Sequence, residues 1–527
     1  MRGGRDVQTV GTFGVSASGE GASVTEEARA PVRGAATAFS DIVSVSAARV
    51  VSMALALVSV TLVAHLLTPA QYSILAYIGV AAGLIQLAAA SWTSTTVTRY
   101  GREELERSGA IRVTSWSRFL IAAPMAIGAA AVIVVAKLIG ALPREINWSY
   151  VSIILGTAVM MLVSEHVLNL LEASGRMKLT ALGLAMQRLL SIIGVLALIV
   201  AGSAHSPEHI ALVWLASGSL FAIALARAVW RTGLWPPRFD RTLFRRIVRF
   251  SVPMIAFAVS QYVIQGIDIA ILGAFRPVRD VGLYAIAYSG YGTLQQIVTT
   301  ATIVLSPLFV SLRAAGREEV IARYARRLAP QALLLIALAA GLAAPLLRLV
   351  VPVVFGSLFA PSAGPLSLLL VAWVLYAAAS FSAPILVLHE RARAMAMVNL
   401  LAAAVNVVGD LVAVGLVGAG IEGPAIATAI SLAVIAFGYV RVSGHCIGEK
   451  LRLPLAILTP GLCGVGASLV LGRLSAVALG IPAVLIVTFA VLAWRRPFTA
   501  TDADLIAQLD IPRPLREPLL ALIGRVR

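Results

Sequence analysis

Charge is scarce in this chain: Asp, Glu, Lys and Arg make up 13% of its 527 residues, about half the share of a soluble domain. That scarcity, with 59% hydrophobic residues and a mean hydropathy of +0.91, excludes an ordinary soluble globular domain. Cysteine is nearly absent. Cys446 and Cys463 are too few for a disulfide framework or a cysteine metal cluster. The His and acidic residues show no HExxH or comparable zinc spacing, so no metal site is expected. No GxxxxGK[ST] loop occurs, which excludes a built-in ATP motor of the P-loop kind. Residues 1–40 are rich in Gly, Ser, Ala and charge. They lack an apolar h-region, so a cleavable leader is not expected and the segment reads as a disordered tail.

What the chain has in abundance is long apolar runs. About fourteen follow one another, most near the ~20 residues a helix needs to cross ~30 Å of hydrocarbon. Barrel strands would alternate over ~10 residues instead. The expected fold is therefore an all-α polytopic membrane protein with about fourteen transmembrane helices.

Arginine orients those helices. The gaps between apolar runs are alternately Arg-rich and nearly Arg-free, and cytoplasmic loops are the basic ones. Basic clusters fall at 2–33, 99–118, 176–178, 227–249, 313–327, 391–393, 441–452 and 495–527. Only Lys137, Arg144, Arg276, Arg279, Arg348 and Arg473 fall on the other side, and Arg49 and Arg188 lie within predicted spans. Both termini are thus expected in the cytoplasm. The net charge of +17 belongs to short loops that set topology and meet anionic lipid headgroups. Nucleic acid is not an expected partner.

The Arg-rich stretch 227–249 divides the chain, and related sequence appears on both sides of it. Thr68-Pro69-Ala70-Gln71-Tyr72 follows span one, and Asp280-Val281-Gly282-Leu283-Tyr284 follows span seven. With Arg176 set on Arg391, Gly194 falls on Gly409. The order of these matches predicts two six-helix lobes of equal orientation, related by a pseudo-two-fold axis along the membrane normal. The organisation expected is a tail (1–40), an N-lobe with basic linker (41–242), a C-lobe (243–452), helices thirteen and fourteen (453–494) and a cytoplasmic C-tail (495–527).

The segment Gly266-Ile267-Asp268-Ile269-Ala270-Ile271-Leu272-Gly273, followed by Val281-Gly282-Leu283-Tyr284-Ala285-Ile286-Ala287-Tyr288, resembles helices seven and eight of bacterial Wzx-type polysaccharide flippases. These belong to the multidrug/oligosaccharidyl-lipid/polysaccharide exporter superfamily. Ser306-Pro307, Asn406 and the run Gly418 to Thr428 resemble later parts of the same proteins. Pro424 stands where alanine is more usual. The resemblance covers roughly 41–445. It implies a flippase, not an enzyme and without cofactor, in the bacterial cytoplasmic membrane. It would carry undecaprenyl-pyrophosphate-linked oligosaccharide to the outer leaflet for surface or exopolysaccharide synthesis, beside a glycan polymerase or glycosyltransferases. Lipid II flippases and ion-coupled small-molecule exporters share the superfamily and remain alternatives. The Arg-Asp pair of lipid II flippases is not evident in Ala64-His65-Leu66-Leu67-Thr68-Pro69.

Polar residues inside spans are the candidates for transport, since they usually face the protein interior or a cavity. Gln261, Gln265 and Asp268 lie on one helical face, suited to hydrogen-bonding sugars and to holding an ion. Tyr284, Tyr288, Tyr291 and Gln295 form a second ladder, in which rings would stack on sugar faces. Arg49 and Arg188 are expected about two turns in from the cytoplasmic end, where a guanidinium matches phosphate geometry. Glu165, His166 and Asp410 would pair with those arginines or couple an ion, and His65 reads as interfacial. Asp502-Ala503-Asp504 imitates a glycosyltransferase metal pair, but Thr501 before it reads as a helix cap. Asn147-Trp148-Ser149 is formally a glycosylation sequon.

Overall fold

The computed structural model describes residues 35–230, 237–303, 305–451, 453 and 455–495. Of the tails read as 1–40 and 495–527, residues 1–34 and 496–527 lie outside the described residues, as does part of the basic linker (231–236), while residues 35–40 already belong to a helix. Among the described residues there is no strand.

Helices α1 (Ala35–Leu66), α2 (Pro69–Ala89), α3 (Ser94–Ser108), α4 (Val113–Leu138), α5 (Trp148–Ala173), α6 (Met177–Val200) and α7 (Pro207–Trp230) build the N-lobe. The C-lobe has α8 (Arg241–Phe275), α9 (Val278–Ile303), α10 (Leu305–Ala314), α11 (Glu318–Arg323), α12 (Ala329–Phe355), α13 (Ala363–Leu388), α14 (Ala392–Asp410) and α15 (Glu422–Cys446). Then follow α16 (Leu455–Val470), a single turn α17 (Arg473–Ser475) and α18 (Ile481–Arg495). Among the described residues twelve helices are long and apolar enough to cross a membrane. The shorter apolar α16 and the polar-faced α9 bring the crossings to about fourteen.

Local chemistry sets the boundaries. Thr68 caps α2 through a capping box with Gln71, and Pro69 opens the helix. Asn147 caps α5 and Asp240 caps α8. Beyond Ala89 the expected second span stops: a 3-10 turn at Ser91–Thr93 leads into α3. This helix is polar and carries Arg99, Arg102 and Arg107, where the sequence suggested a loop. Polar side chains cannot continue through hydrocarbon, so the chain turns along the basic face.

The repeat is visible in the backbone. The turns before α6 and α14 have the same shape, and eighteen residues after Arg176 and Arg391 two glycines do the same work. A methyl group on Gly194 would stand 2.5 Å from Val213 of α7, and one on Gly409 would stand 2.9 Å from Ala427 of α15. The pairs α6–α7 and α14–α15 therefore approach closely at matching positions.

Helices α16 and α18 dock on the C-lobe, chiefly on α12. Gly464 of α16 lies directly on the Gly341 backbone of α12, and Gly341 in turn meets the Pro460 carbonyl. Small residues let helix backbones approach this closely inside a membrane. Arg348 fastens the far end, donating at 2.8 Å to the Leu471 carbonyl and at 3.2 Å to that of Leu469.

The lobes meet through α1 and α2 against α8 and α9. At the end away from the basic face, Gly282 abuts the Pro69 carbonyl and Gly273 abuts the Tyr77 ring. Tyr72 there packs edge-on against Phe359, with centroids 5.9 Å apart. Midway, the Tyr262 hydroxyl donates to the Val80 carbonyl. At the basic end Thr96 and Ser251 share a 2.5 Å hydrogen bond, and Arg246 lies 4.9 Å above the Tyr100 ring.

Candidate functional site

Asp268 lies in α8 with 1% exposure, enclosed by α9, α14 and α15. Its Oδ2 accepts from the Tyr284 hydroxyl at 2.5 Å and from the Thr428 hydroxyl at 2.7 Å. Asp410 of α14 adjoins it, together with Asn406 one turn earlier, and both are fully buried. Neither makes a well-aligned hydrogen bond to Asp268. Asp268 Oδ1, both Asp410 carboxyl oxygens and the Asn406 amide are left without a partner. Two carboxyl groups thus share a pocket of oxygen donors with no basic side chain in it, an arrangement that strongly favours a bound positive charge. Immediately after Asp410 the helix widens into a π-helical segment, Leu411–Leu416, a distortion frequent at functional sites.

Asp268 and Asp410 are therefore brought together, rather than Asp410 meeting an arginine. Asn406 and Thr428 were quoted in the sequence only as marks of resemblance. Their spacing carried the signal, because Asn406 sits at i−4 from Asp410, on the same face.

Tyr284, Tyr288 and Tyr291 pack in series, the first pair tilted and the second edge-on, with centroids 6.0 and 5.5 Å apart. Tyr284 and Tyr291 are 0% and 1% exposed, and Gln295 donates at 2.9 Å to the Tyr291 hydroxyl. Contrary to the expected glycan-stacking ladder, Tyr291 is closed inside the C-lobe in this conformation. Tyr288, between Tyr284 and Tyr291, is half-buried.

One polar side chain on α6 and one on α8 stand exposed on otherwise buried stripes. Arg188 shares a helical stripe with Ala181, Ala185, Ile192 and Val195, all buried, yet is itself exposed. Gln265 does the same between buried Ile264, Asp268 and Leu272. A side chain exposed on a protein-facing stripe reaches into open space between helices. Gln261, on the same α8 face, is half-buried. Arg188 lies eleven residues past Met177, about 16 Å along the axis. That is half the membrane depth, deeper than the two turns expected. Among the described residues it has no ion pair. Arg49, by contrast, lies seventeen residues before the end of α1 at Leu66, about 25 Å along the axis and so near the basic end, half-buried and within electrostatic reach of Glu172.

Glu165 and His166 meet neither of these arginines. Their partner is Arg118, grouped by sequence with the loop arginines but 2% exposed inside α4. Arg118 donates to Glu165 at 2.8 Å, to the Thr93 hydroxyl at 3.1 Å and to the Ala90 carbonyl at 3.3 Å. Its Nη1 is 3.3 Å from His166 Nδ1, and His166 Nε2 is 2.9 Å from the Ser115 hydroxyl. Arginine only donates, so Nδ1 accepts and Nε2 carries the proton. Gln86 and Ser94 also donate to Glu165. The carboxylate expected to couple an ion is thus held by three donors, Arg118, Gln86 and Ser94.

A family model described as polysaccharide biosynthesis protein matches residues 39–313, just over half of the chain. No curated protein matches it by sequence. Among solved structures it is similar to the lipid II flippase MurJ in an inward closed conformation, at 12% identity and TM-score 0.64, covering 86% of this chain and 98% of that one. A eukaryotic MATE transporter aligns at 13% identity and TM-score 0.55, over 85% and 99% of the two chains. The Vibrio cholerae MATE transporter VcmN aligns at 15% identity and TM-score 0.53, over 78% and 95%. At these identities the likeness is one of fold.

Proposed function

The chain belongs to the polysaccharide biosynthesis protein family, a set of multi-pass membrane transporters, and from that premise we propose that it flips a polyprenyl-pyrophosphate-linked oligosaccharide across the bacterial cytoplasmic membrane. The observation that carries this reading is Arg188. An unpaired arginine exposed at mid-membrane on a protein-facing stripe is tolerable only beside water or an anion, and its planar fork suits a phosphate. Gln265 supplies an amide for sugar hydroxyls from the opposite lobe, with Gln261 beside it. Arg49 stands nearer the basic face, where the headgroup would first arrive.

Orientation follows from charge: the basic face is the cytoplasmic one. Lobe contacts close both ends in this conformation, Pro69 against Gly282 at the far end and Thr96 against Ser251 at the basic one. Rocking of the lobes would part the basic end toward the cytoplasm. The Asp268–Asp410 pair couples that motion to a small cation. All-oxygen donors suit sodium or a shared proton.

The acidic cluster alone would equally serve an ion-coupled exporter of small molecules. Arg188 favours an anionic cargo, and lipid II, itself a pyrophosphate-linked saccharide, satisfies the same chemistry. The test is outer-leaflet accessibility of lipid-linked glycan in a deletion strain, complemented with wild type, Arg188→Ala, Arg49→Ala or Asp268→Asn. Loss in the deletion strain and in Arg188→Ala is expected. Unchanged outer-leaflet glycan in the deletion strain sinks the flippase reading. Restored peptidoglycan precursor export instead of glycan export selects lipid II.

A further inference from the structure

We propose that the C-lobe binds one anionic phospholipid in a cavity on its basic side, between α12, α13, α15 and the connection into α16, remote from the Asp268 cluster. The cavity has a volume of about 320 Å³, within the range of small-molecule sites. Its floor is apolar: Leu333, Phe381, Ile385, Leu453 and Ile457 line it, all buried.

The polar groups of the floor are already satisfied. The Tyr324 hydroxyl donates to the Phe381 carbonyl at 3.4 Å, Ser443 donates to the Ser382 carbonyl at 3.2 Å, and Ser382 donates to Ala378 at 3.0 Å. Such a floor offers water few partners, and a hollow without them favours an apolar occupant. The rim is different. Arg326 and Lys450 border the same cavity. Lys450 is exposed and has no ion pair among the described residues, and Arg326 holds Glu449 at 3.0 Å.

Height decides between an amphiphile and a free anion. Arg326 stands in the π-helical segment Tyr324–Leu328, one turn before the apolar run of α12 begins at Ala329. The cations therefore lie at headgroup level and the apolar floor lies just below, in the acyl-chain layer. Basic pockets between transmembrane helices at this level take anionic headgroups. Beyond the Arg326–Glu449 pair is a second hollow of about 440 Å³, bordered by Glu318, Glu319 and Glu449 as well as Arg323, Arg326 and His389. Its three carboxylates offset the two arginines, so the first cavity, with Lys450 free of an acidic partner among the described residues, is the better place for an anionic headgroup. A lipid there would join the C-lobe to the segment that delivers α16.

The full chain in phosphatidylcholine nanodiscs, with or without phosphatidylglycerol, tests this by thermal unfolding and by native mass spectrometry. Phosphatidylglycerol is expected to raise Tm by several degrees and to leave one lipid bound. Lys450→Gln and Arg326→Gln should each reduce the shift, and Ala329→Phe, which fills the cavity, should abolish it. Arg391→Gln, exposed on the same basic face, should keep it. Should Ala329→Phe fail to fold, the two rim variants decide alone. An equal Tm in both lipids, a shift unchanged in both rim variants, or the same shift from inorganic phosphate in phosphatidylcholine alone would each overturn the proposal. None of these readouts depends on transport.

Discussion

Glu390 and Gly175 hold the same left-handed backbone position in the two halves of the chain, at φ 55° and 72°. The residues around them agree as well. Ser174 and His389 have ψ of 3° and 15°, and Arg176 and Arg391 have ψ of 48° and 34°. Glu390 is the one non-glycine residue with positive φ among the described residues, and it is exposed. It carries a steric cost that glycine avoids in the first half. Glu390→Gly should therefore stabilise the protein by about 0.5–1 kcal/mol, after allowing for glycine's greater unfolded-state entropy. Thermal unfolding in detergent measures it, and an unchanged or lower Tm would contradict the strain.

The same pair shows what the sequence made legible. Arg176 and Arg391 could be matched because a charged residue stands out between apolar runs, and the offset to Gly194 and Gly409 followed. Span count and basic-face alternation were readable for the same reason. Arg118 was not, because it follows Arg112 by six residues and charge alone assigns both to a loop. Its helix begins at Val113, and the signal was the unbroken apolar run Phe119-Leu120-Ile121 directly after it. Asp268 and Asp410 were each readable as intramembrane acids, but no linear pattern joins residues on α8 and α14. Their meeting is a product of packing.

Arg118 and Glu165 should behave as a buried pair whose halves cannot be removed singly. Arg118→Ala strands the Glu165 carboxylate and is expected to cost about 3–5 kcal/mol. The double variant Arg118→Met with Glu165→Leu should recover most of that loss, because both charges leave together. A double-mutant cycle on unfolding midpoints checks this. Additive losses would mean that the pair does not act as a unit.

Thr428 offers a milder probe of the acidic cluster than either aspartate. Thr428→Val keeps the shape of the side chain and removes the hydroxyl that donates to Asp268. It should lower stability by about 1–2 kcal/mol. If the cluster holds a cation, sodium or acid will raise the Tm of the wild type and raise that of Thr428→Val and Asp410→Asn less. Identical responses in all three would remove the cluster from ion coupling.

The seam between α12 and α16 separates two glycines that composition cannot distinguish. A methyl group at Gly464 would strike the Gly341 carbonyl, whereas one at Gly466 meets nothing within 4 Å. Gly464→Ala is expected to destabilise by about 1–3 kcal/mol through overpacking, while Gly466→Ala should be neutral or slightly stabilising. Equal unfolding midpoints for the two variants would show that α16 is not seated on α12 at this register.

Gly282 is the corresponding contact between the lobes. Its missing side chain lets α9 rest on the Pro69 carbonyl of α2, at the end away from the basic face. A larger residue cannot be absorbed by a rotamer change, since the obstacle is backbone. Gly282→Val should therefore push the lobes apart at that end and raise the population of molecules open there. Gly292, on the same helix with nothing within 4 Å of an added Cβ, is the control. Thiol labelling of an engineered cysteine at Ser289, on the α9 face that meets Tyr72, reports the opening once Cys446 and Cys463 are replaced. Faster labelling in Gly282→Val but not in Gly292→Ala is expected, together with loss of transport. Unchanged labelling with transport intact would mean that the Pro69–Gly282 contact does not close the path.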